Sequence, residues 1–445
     1  MFAHLLSIPN GNGATEWEAL WSGIPTTTAV FALYEPDAHS EPYITKTANL
    51  RRRLKRILSS DSTISKRLNL LGRVSRIAYT ETGSEFETAL LLYNATKHSF
   101  GDRARKRLHL RSPAVLRLAW ENAYPRIYAA NRIALRALEH TYGPFPSRVA
   151  AERFLEDSLN LFELRRCVED LHPDPSFPGC VYSEMKMCLA PCFKGCSDQR
   201  YAAEAEAVRA YFASRGASLL RTLEQERNAA SAALDFEKAA QLHTRLQKVK
   251  AIAQQAAPLV HPLAQLDAVI LQSTAPQSPD AGHVAIFCVR AGIIFGPALY
   301  SVQGMLHPNE QSGSSSLFAH PTTLAPTLLP ESETSATKSS RGTLEARLHD
   351  LLEQLESQAD PTHMHADRIA DHLAILSRWY YRPTAKRTGE IFFRDASGNF
   401  PLPKILRGIS RVFRGAKNPE SLESTAEIPA VASTGIPPSA PSADT

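Results

Sequence analysis

Apolar and polar positions repeat with different periods in successive stretches of the chain, and each change of period marks an element. Near the front, TAVFALY and PYITK are short runs rich in β-branched and aromatic residues and read as strands. Residues 49–58 read as a strongly basic helix, RVSRIAYTET as a strand and residues 84–97 as a helix. Two strands and an amphipathic helix, with the order partly repeated, predict a small three-stranded sheet covered by helices over residues 15–100.

Residues 113–166 have mixed patterns around Tyr142-Gly143-Pro144-Phe145-Pro146-Ser147, which reads as a turn, and a helix over 148–162 follows. Residues 198–252 are rich in Ala, Leu, Glu, Arg and Gln, with no proline and one glycine, Gly216, which is helical-hairpin composition. Leu219, Leu220, Leu223, Ala230 and Ala233 share one face and Ala239, Leu242, Leu246 and Val249 another, with the bend at Leu234-Asp235-Phe236. Such a hairpin either docks on its own domain or offers an apolar face to a partner. DAVILQS and HVAIFCVRAGIIF return to strands, the second with a glycine turn as in a hairpin. A Ser/Thr/Pro-rich stretch over 309–343 reads as a flexible linker, and a second Pro/Ala/Ser/Thr stretch over 415–445 as a disordered tail. Between them come a helical piece, residues 344–381, and a strand, EIFFRD. The expected class is α/β, of the α+β kind. Its units are 15–100, a connecting and cysteine-bearing unit 101–200, the hairpin 201–256, a strand-rich segment 262–308, the linker, a helical region 344–414 and the tail.

At 445 residues and 43% hydrophobic content the chain can bury more than one core, two or three at ~150 residues per domain. No apolar run approaches the ~20 residues that cross a bilayer, so no membrane association is expected. The net charge of +5 is small but uneven. Arg51, Arg52, Arg53, Lys55 and Arg56 fall in one helical window, and Arg103, Arg105, Lys106, Arg107 and Arg111 form a second cluster. Such clusters either grip phosphate backbones without reading sequence or are solvated helix faces.

Four of the six cysteines, Cys167, Cys180, Cys188 and Cys192, stand with twelve, seven and three residues between them. Disulfide frameworks belong to small exported domains, and the first residues, MFAHLLSIPNGNG, lack a basic and then apolar leader, so a reducing cytoplasm is expected. A metal centre then accounts for the thiols, and four thiolates suit either zinc or an iron–sulfur cluster. Cys196 is a substitute ligand or a bystander, and Cys288 reads as a small buried hydrophobe. His363, His365 and His372 have no cysteine nearby, and helix register separates the last from the others.

In this order the segments resemble the front half of the UvrC family, the incision subunit of bacterial nucleotide excision repair. The resemblance covers about residues 20–300. The cysteines, with Ala190-Pro191-Cys192, are similar to that family's cluster-binding arrangement, Tyr142 to Ser147 to its GPY/GPF signature and AALDFEKAAQLHTRL to its UVR motif. The resemblance implies a four-iron cluster on Cys167, Cys180, Cys188 and Cys192, with zinc as the alternative. It also implies DNA as a partner and docking on a UvrB-type protein through the hairpin, at Leu234, Phe236, Glu237 and Ala240.

The same resemblance places a GIY-YIG nuclease over the first unit. Tyr43 then matches the residue that activates water, Lys46 an assisting lysine and Arg53 the arginine that neutralises the scissile phosphate. Magnesium or manganese would enter only with an active nuclease. Two features depart: Phe31 stands in a first signature that has lost its tyrosine hydroxyl, and Thr45 replaces a glycine. The larger departure is Ala89-Leu90-Leu91-Leu92-Tyr93-Asn94, which puts Tyr93 where the family has the glutamate that holds the metal. A neutral phenol does not replace a carboxylate on a hard cation. Glu87 lies about 9 Å back and about 120° around the helix, too far to substitute. The expectation is a DNA-binding repair component with phosphodiesterase activity reduced or lost. An active 3′-side nuclease and a UVR-bearing adaptor outside repair stand as alternatives. Downstream, no acidic set reads as a second nuclease, and Arg378-Trp379-Tyr380-Tyr381-Arg382 is either a base-stacking element or a packed helix end.

Overall fold

The structure is a computed structural model that describes residues 2–9, 14–37, 39–58, 70–275, 282–302, 341–358, 365–395 and 397–415. The stretch expected to be a linker, except its last three residues, the tail beyond 415 and His363 lie outside the described residues.

The first lobe comprises β1 (His4–Ser7), α1 (Ala14–Gly23), β2 (Ala29–Tyr34), β3 (Tyr43–Thr47), α2 (Leu50–Ile57), β4 (Arg76–Glu81), α3 (Glu85–Phe100) and α4 (Arg103–Arg107). Its antiparallel sheet has the order β1-β4-β2-β3. The three strands read from the sequence are joined by β1, which comes from residues ahead of the expected unit. Phe31 and Leu33 of β2 bury against Leu50, Leu54 and Ile57 of α2, while α3 packs on β2 and β3. Local capping fixes both helix starts. Asn49 accepts the Arg52 N–H at 2.9 Å, and Ser84 accepts the Glu87 N–H at 3.1 Å while Glu87 returns its carboxylate to the Gly83 N–H at 2.8 Å. Glu87 is thus occupied at the start of α3.

The middle lobe contains β5 (Ala114–Leu118), β6 (Ile127–Ala130), β7 (Thr141–Phe145), α5 (Arg148–Leu159), α6 (Val181–Glu184), α7 (Asp198–Ala213), α8 (Ala217–Ala232), α9 (Phe236–Ala253) and β8 (His261–Pro262). Its sheet has the order β6-β5-β7-β8. The hexapeptide read as a turn is mostly the buried strand β7, because Tyr142 and Phe145 carry the core. A register irregularity opposite Ala114 and Leu116 accommodates Pro144, which has no N–H to give a ladder. Residues 198–252 form three helices, not one hairpin. The chain turns from α7 to α8 at Gly216, where φ is 89° and a Cβ would lie 2.8 Å from that of Ala253. The bend at 234–236 joins α8 to α9, with Leu234 at φ 62° and Asp235 capping α9 through the Lys238 N–H at 3.0 Å.

The third lobe holds β9 (Ala268–Ser273), β10 (His283–Arg290), β11 (Ile293–Ser301), α10 (Arg341–Ser357), α11 (Ala366–Tyr380), β12 (Glu390–Phe393) and α12 (Leu402–Phe413), which falls inside the helical region expected over 344–414. The strand-rich segment and the later helical region share one antiparallel sheet, order β11-β10-β9-β12, with Glu390 opposite Leu271 and Phe393 opposite Ala268. Ile270, Ala285 and Phe287 face α11 and α3, while Leu271, Ile286 and Cys288 face α10 and α12. Layers on both faces explain why these strands read as unbroken apolar runs. Cys288 is 1% exposed, and burial pushes its thiol pKa up to about 12, as befits a packed hydrophobe.

Candidate nucleic-acid interface and cysteine centre

Two of the three residues matched to nuclease roles meet. Tyr43 opens β3, and the Arg53 guanidinium of α2 donates to its hydroxyl at 3.3 Å. Phe31 sits beside them, its ring tilted against Tyr43 with centroids 6.3 Å apart, and it is fully buried. Lys46 lies three residues on, so strand alternation sends it to the opposite face, where its charge reaches Glu85 of α3.

Tyr93 joins neither group. It is 3% exposed, and its hydroxyl donates to Asp371 Oδ2 of α11 at 3.3 Å. Its ring meets His372 edge-on, with centroids 5.2 Å apart. Burial, and then the Asp371 carboxylate, drive the Tyr93 phenol pKa upward, so it stays protonated. Asp371 is itself raised by burial, against the pull of Arg105, which lies 3.5 Å from Oδ1. Around this centre Arg382 grips Glu85 (Nη2 to Oε1, 2.6 Å), and Trp379 tilts onto Phe86. At the far end the Ser273 hydroxyl donates to the Gly83 carbonyl at 3.0 Å. Only glycine permits that approach, since a Cβ on Gly83 would lie 2.1 Å from the Thr274 carbonyl carbon.

The two basic clusters divide differently from the sequence reading. In α2, Arg51 turns inward and donates to the Ile24 and Ser22 carbonyls at 2.6 and 3.1 Å, so it ties helix to loop. Arg52, Lys55 and Arg56 are exposed and share a face at three- and four-residue spacing. In the second cluster Arg103 and Arg107 both pair with Glu41, and Arg105 with Asp367 and Asp371. These three charges are internally compensated. Three acidic residues of the third lobe are likewise held by arginine: Asp267 and Glu356 by Arg394, and Glu390 by Arg411 at 2.8 and 2.7 Å.

The four cysteines lie on a tightly wound loop between α5 and α7, in which Lys186, Ala190 and Lys194 all have positive φ. Cys180 precedes α6, and the Asp174 N–H donates to the Cys192 carbonyl at 2.8 Å. Buried Arg165 anchors the start, donating to the Tyr124 and Glu169 carbonyls at 2.9 Å and to Cys167 Sγ at 3.6 Å. The Ala190 N–H donates to Cys188 Sγ at 3.3 Å. Burial, followed by the charges of Cys167, Cys192 and Cys180, pushes the Cys188 pKa up to about 11. As placed, no three His, Cys, Asp or Glu side chains among the described residues close around an ion. Two of the four sulfurs, those of Cys167 and Cys188, accept N–H bonds. Cys196 packs against the middle-lobe core.

At the tip of the α8–α9 hairpin, Leu234 and Phe236 are 72% and 66% exposed, and Glu237 and Ala240 are exposed beside them. Lower down, Leu223, Leu246, Val249 and Ile252 bury the hairpin base against the middle lobe.

Comparison with known proteins matches two segments of the sequence to family models. Residues 114–211 match the UvrC/Cho excinuclease middle domain, and residues 217–252 match the UvrB/uvrC motif. Over these two spans the chain is similar to the UvrC family. It is 30% identical over 290 residues to UvrABC system protein C of Nitratidesulfovibrio vulgaris, covering 64% of this chain and 39% of that protein. It is 28% identical over 285 residues to that of Haemophilus ducreyi, covering 64% and 45%. It is 28% identical over 236 residues to that of Aliivibrio salmonicida, covering 51% and 37%. The chain thus spans roughly two fifths of the length of these curated relatives. No solved structure matches it. The middle-domain match ends within α7, and the motif match spans α8 and α9 up to residue 252. Asp371 and Arg105, which enclose Tyr93, gave no local signal in sequence, since Asp371 is 278 positions from its partner.

Proposed function

We propose that this UvrC-family chain is a DNA-binding component of excision repair that docks on a UvrB-type partner and has lost most or all of its front-lobe phosphodiesterase activity. The observation that carries the reading is that Tyr93, which the resemblance aligns with the family's metal-binding glutamate, is engaged with Asp371. Tyr43, Arg53 and Lys46 keep a phenol and two cations near the sheet, and binding a phosphate backbone needs only such charge. Arg52, Lys55 and Arg56 extend this into an exposed basic face.

Cys167, Cys180, Cys188 and Cys192 would hold a four-iron cluster, with zinc as the alternative, and its chemistry there is structural: it relieves the repulsion among the thiolates and so couples metal to folding. The Arg165 and Ala190 N–H groups stabilise sulfur charge in that state. The hairpin tip, Leu234, Phe236, Glu237 and Ala240, supplies the partner contact, in the cytoplasm.

The test is retention of labelled duplex by the full chain in the absence of divalent metal. Retention that falls steeply with salt, and weakens when Arg52, Lys55 and Arg56 are all replaced by Glu, is expected. A chain that retains no duplex at moderate salt, and recovers no UvrB, is instead an adaptor outside repair.

A further inference from the structure

A cavity of about 370 Å³ lies between β3, α3 and α11, and its lining joins Lys46 and Tyr93, both matched to the nuclease site by resemblance, to residues of α11 that the resemblance does not cover. Its size is within the ~300–1,000 Å³ of small-molecule sites. The floor is apolar, formed by Ile44, Ala89, Leu92, Leu108 and Leu110, and Trp379 contributes to the wall. The rim is cationic: Lys46 from β3, Arg107, and Arg378 and Arg382 from α11 and just beyond it, against a single carboxylate, Glu85. Arg382 already neutralises Glu85, and Arg107 is held by Glu41 and lies 3.8 Å from the Phe100 ring centroid. Lys46 and Arg378 remain, both exposed, and among the described residues neither makes a hydrogen bond or ion pair. Each acts on Glu85 only through space, lowering its pKa after the dominant Arg382 hydrogen bond.

Two uncommitted cations over an apolar, aromatic-walled floor call for an anion with a flat hydrophobic body. We propose that this cleft binds a nucleoside phosphate, with Lys46 and Arg378 on the phosphate and the base on the apolar floor. A base stacked and paired in duplex cannot enter such a pocket, and extracting one costs a few kcal/mol, so the favoured source is a free mononucleotide or an unpaired nucleotide in a strand. The site deepens the DNA-binding reading above and rests on it. Its lysine comes from the degenerate nuclease lobe and its arginine from the C-terminal helix, so docking of α11 converts a cutting cleft into a holding one.

The experiment measures fluorescence anisotropy of a short labelled oligothymidylate with the full chain, its Lys46→Glu, Arg378→Glu and Arg378→Lys variants, and competition by dTMP and by inorganic phosphate. Both altered positions are exposed, and circular dichroism checks that the fold is kept. Each charge reversal should weaken binding about tenfold or more and reduce the log–log salt slope by roughly 0.7, the loss of one single-strand phosphate contact. Arg378→Lys should retain most affinity. Competition by dTMP identifies a site open to free nucleotide, and sensitivity to Arg378→Glu without dTMP competition identifies a nucleotide taken only within a strand. Unchanged affinity and slope in both reversals overturn the proposal, as does inorganic phosphate competing as well as dTMP. Duplex retention by the wild-type chain separates the two readings. If it persists while the reversals have no effect on oligothymidylate, only the pocket is wrong; if the wild type binds no DNA at all, the broader reading fails too.

Discussion

The Tyr93 hydroxyl donates to the Asp371 carboxylate at 3.3 Å across 278 residues of sequence, with both side chains buried. A glutamate at position 93 would set two carboxylates against each other in a site where burial already raises the Asp371 pKa. The tyrosine suits the face that α11 covers.

Tyr93→Glu, which restores the family's residue, should destabilise the chain by about 3–5 kcal/mol and restore no cutting, because an uncompensated charge would be buried. Tyr93→Phe should cost about 1–2 kcal/mol, the loss of one hydrogen bond to a charged group still faced by Arg105. Urea denaturation of the two variants measures the difference, and a Tyr93→Glu chain as stable as wild type would contradict this packing.

Acid should loosen the same interface. His372 is buried, its Nδ1 accepts the Ile294 N–H at 2.9 Å, and burial, followed by the charge of Arg368, pushes its pKa down to about 3. A proton on Nδ1 would break that bond. The folded pKa is below the unfolded value near 6.5, so this stability is present above about pH 6.5 and lost as pH falls toward 3, on the order of 5 kcal/mol at the full shift. His261, lowered to about 4 chiefly by burial, acts in the same direction, while the raised Asp371 opposes both. The urea midpoint should fall between pH 7 and 4.5, and His372→Gln should flatten the fall. An unchanged pH slope in that variant would show that the imidazole is not responsible.

Cysteine substitutions should separate a metal centre from ordinary packing. Protein purified without oxygen is expected to absorb near roughly 400 nm, and Cys188→Ser or Cys192→Ser should remove that band and lower stability together. Cys288→Ala should leave the band in place. Stoichiometric zinc in a colourless sample would replace the iron assignment.

The hairpin tip offers a contrast between binding and folding. Leu234→Asp and Phe236→Asp alter side chains 72% and 66% exposed, so stability should change by less than about 0.5 kcal/mol while retention on immobilised UvrB drops at least tenfold. Equal retention would place the partner contact elsewhere.

What the sequence made legible was local. Capped helices such as α2 and α3, the bend at Leu234 and the apolar strands β9 and β10 follow from spacing within a few residues, and the cysteine and UVR segments carry their own signatures. What it concealed depends on partners far along the chain. Arg51 and Arg103 look like free charge until Ile24 and Glu41 are placed beside them. The Tyr142–Phe145 stretch has turn composition, yet its aromatic side chains draw it into a sheet. Nor does any periodicity announce that β12 pairs with β9 or that α11 lies on α3, since both contacts join segments more than a hundred residues apart.

The central claim is tested most directly by nicking. Lesion-bearing duplex incubated with the full chain, a UvrB-type partner and magnesium or manganese should be bound and left uncut, with no more nicks than the Tyr43→Phe variant produces. Damage-dependent incision by the wild type, abolished by Tyr43→Phe, would contradict the account.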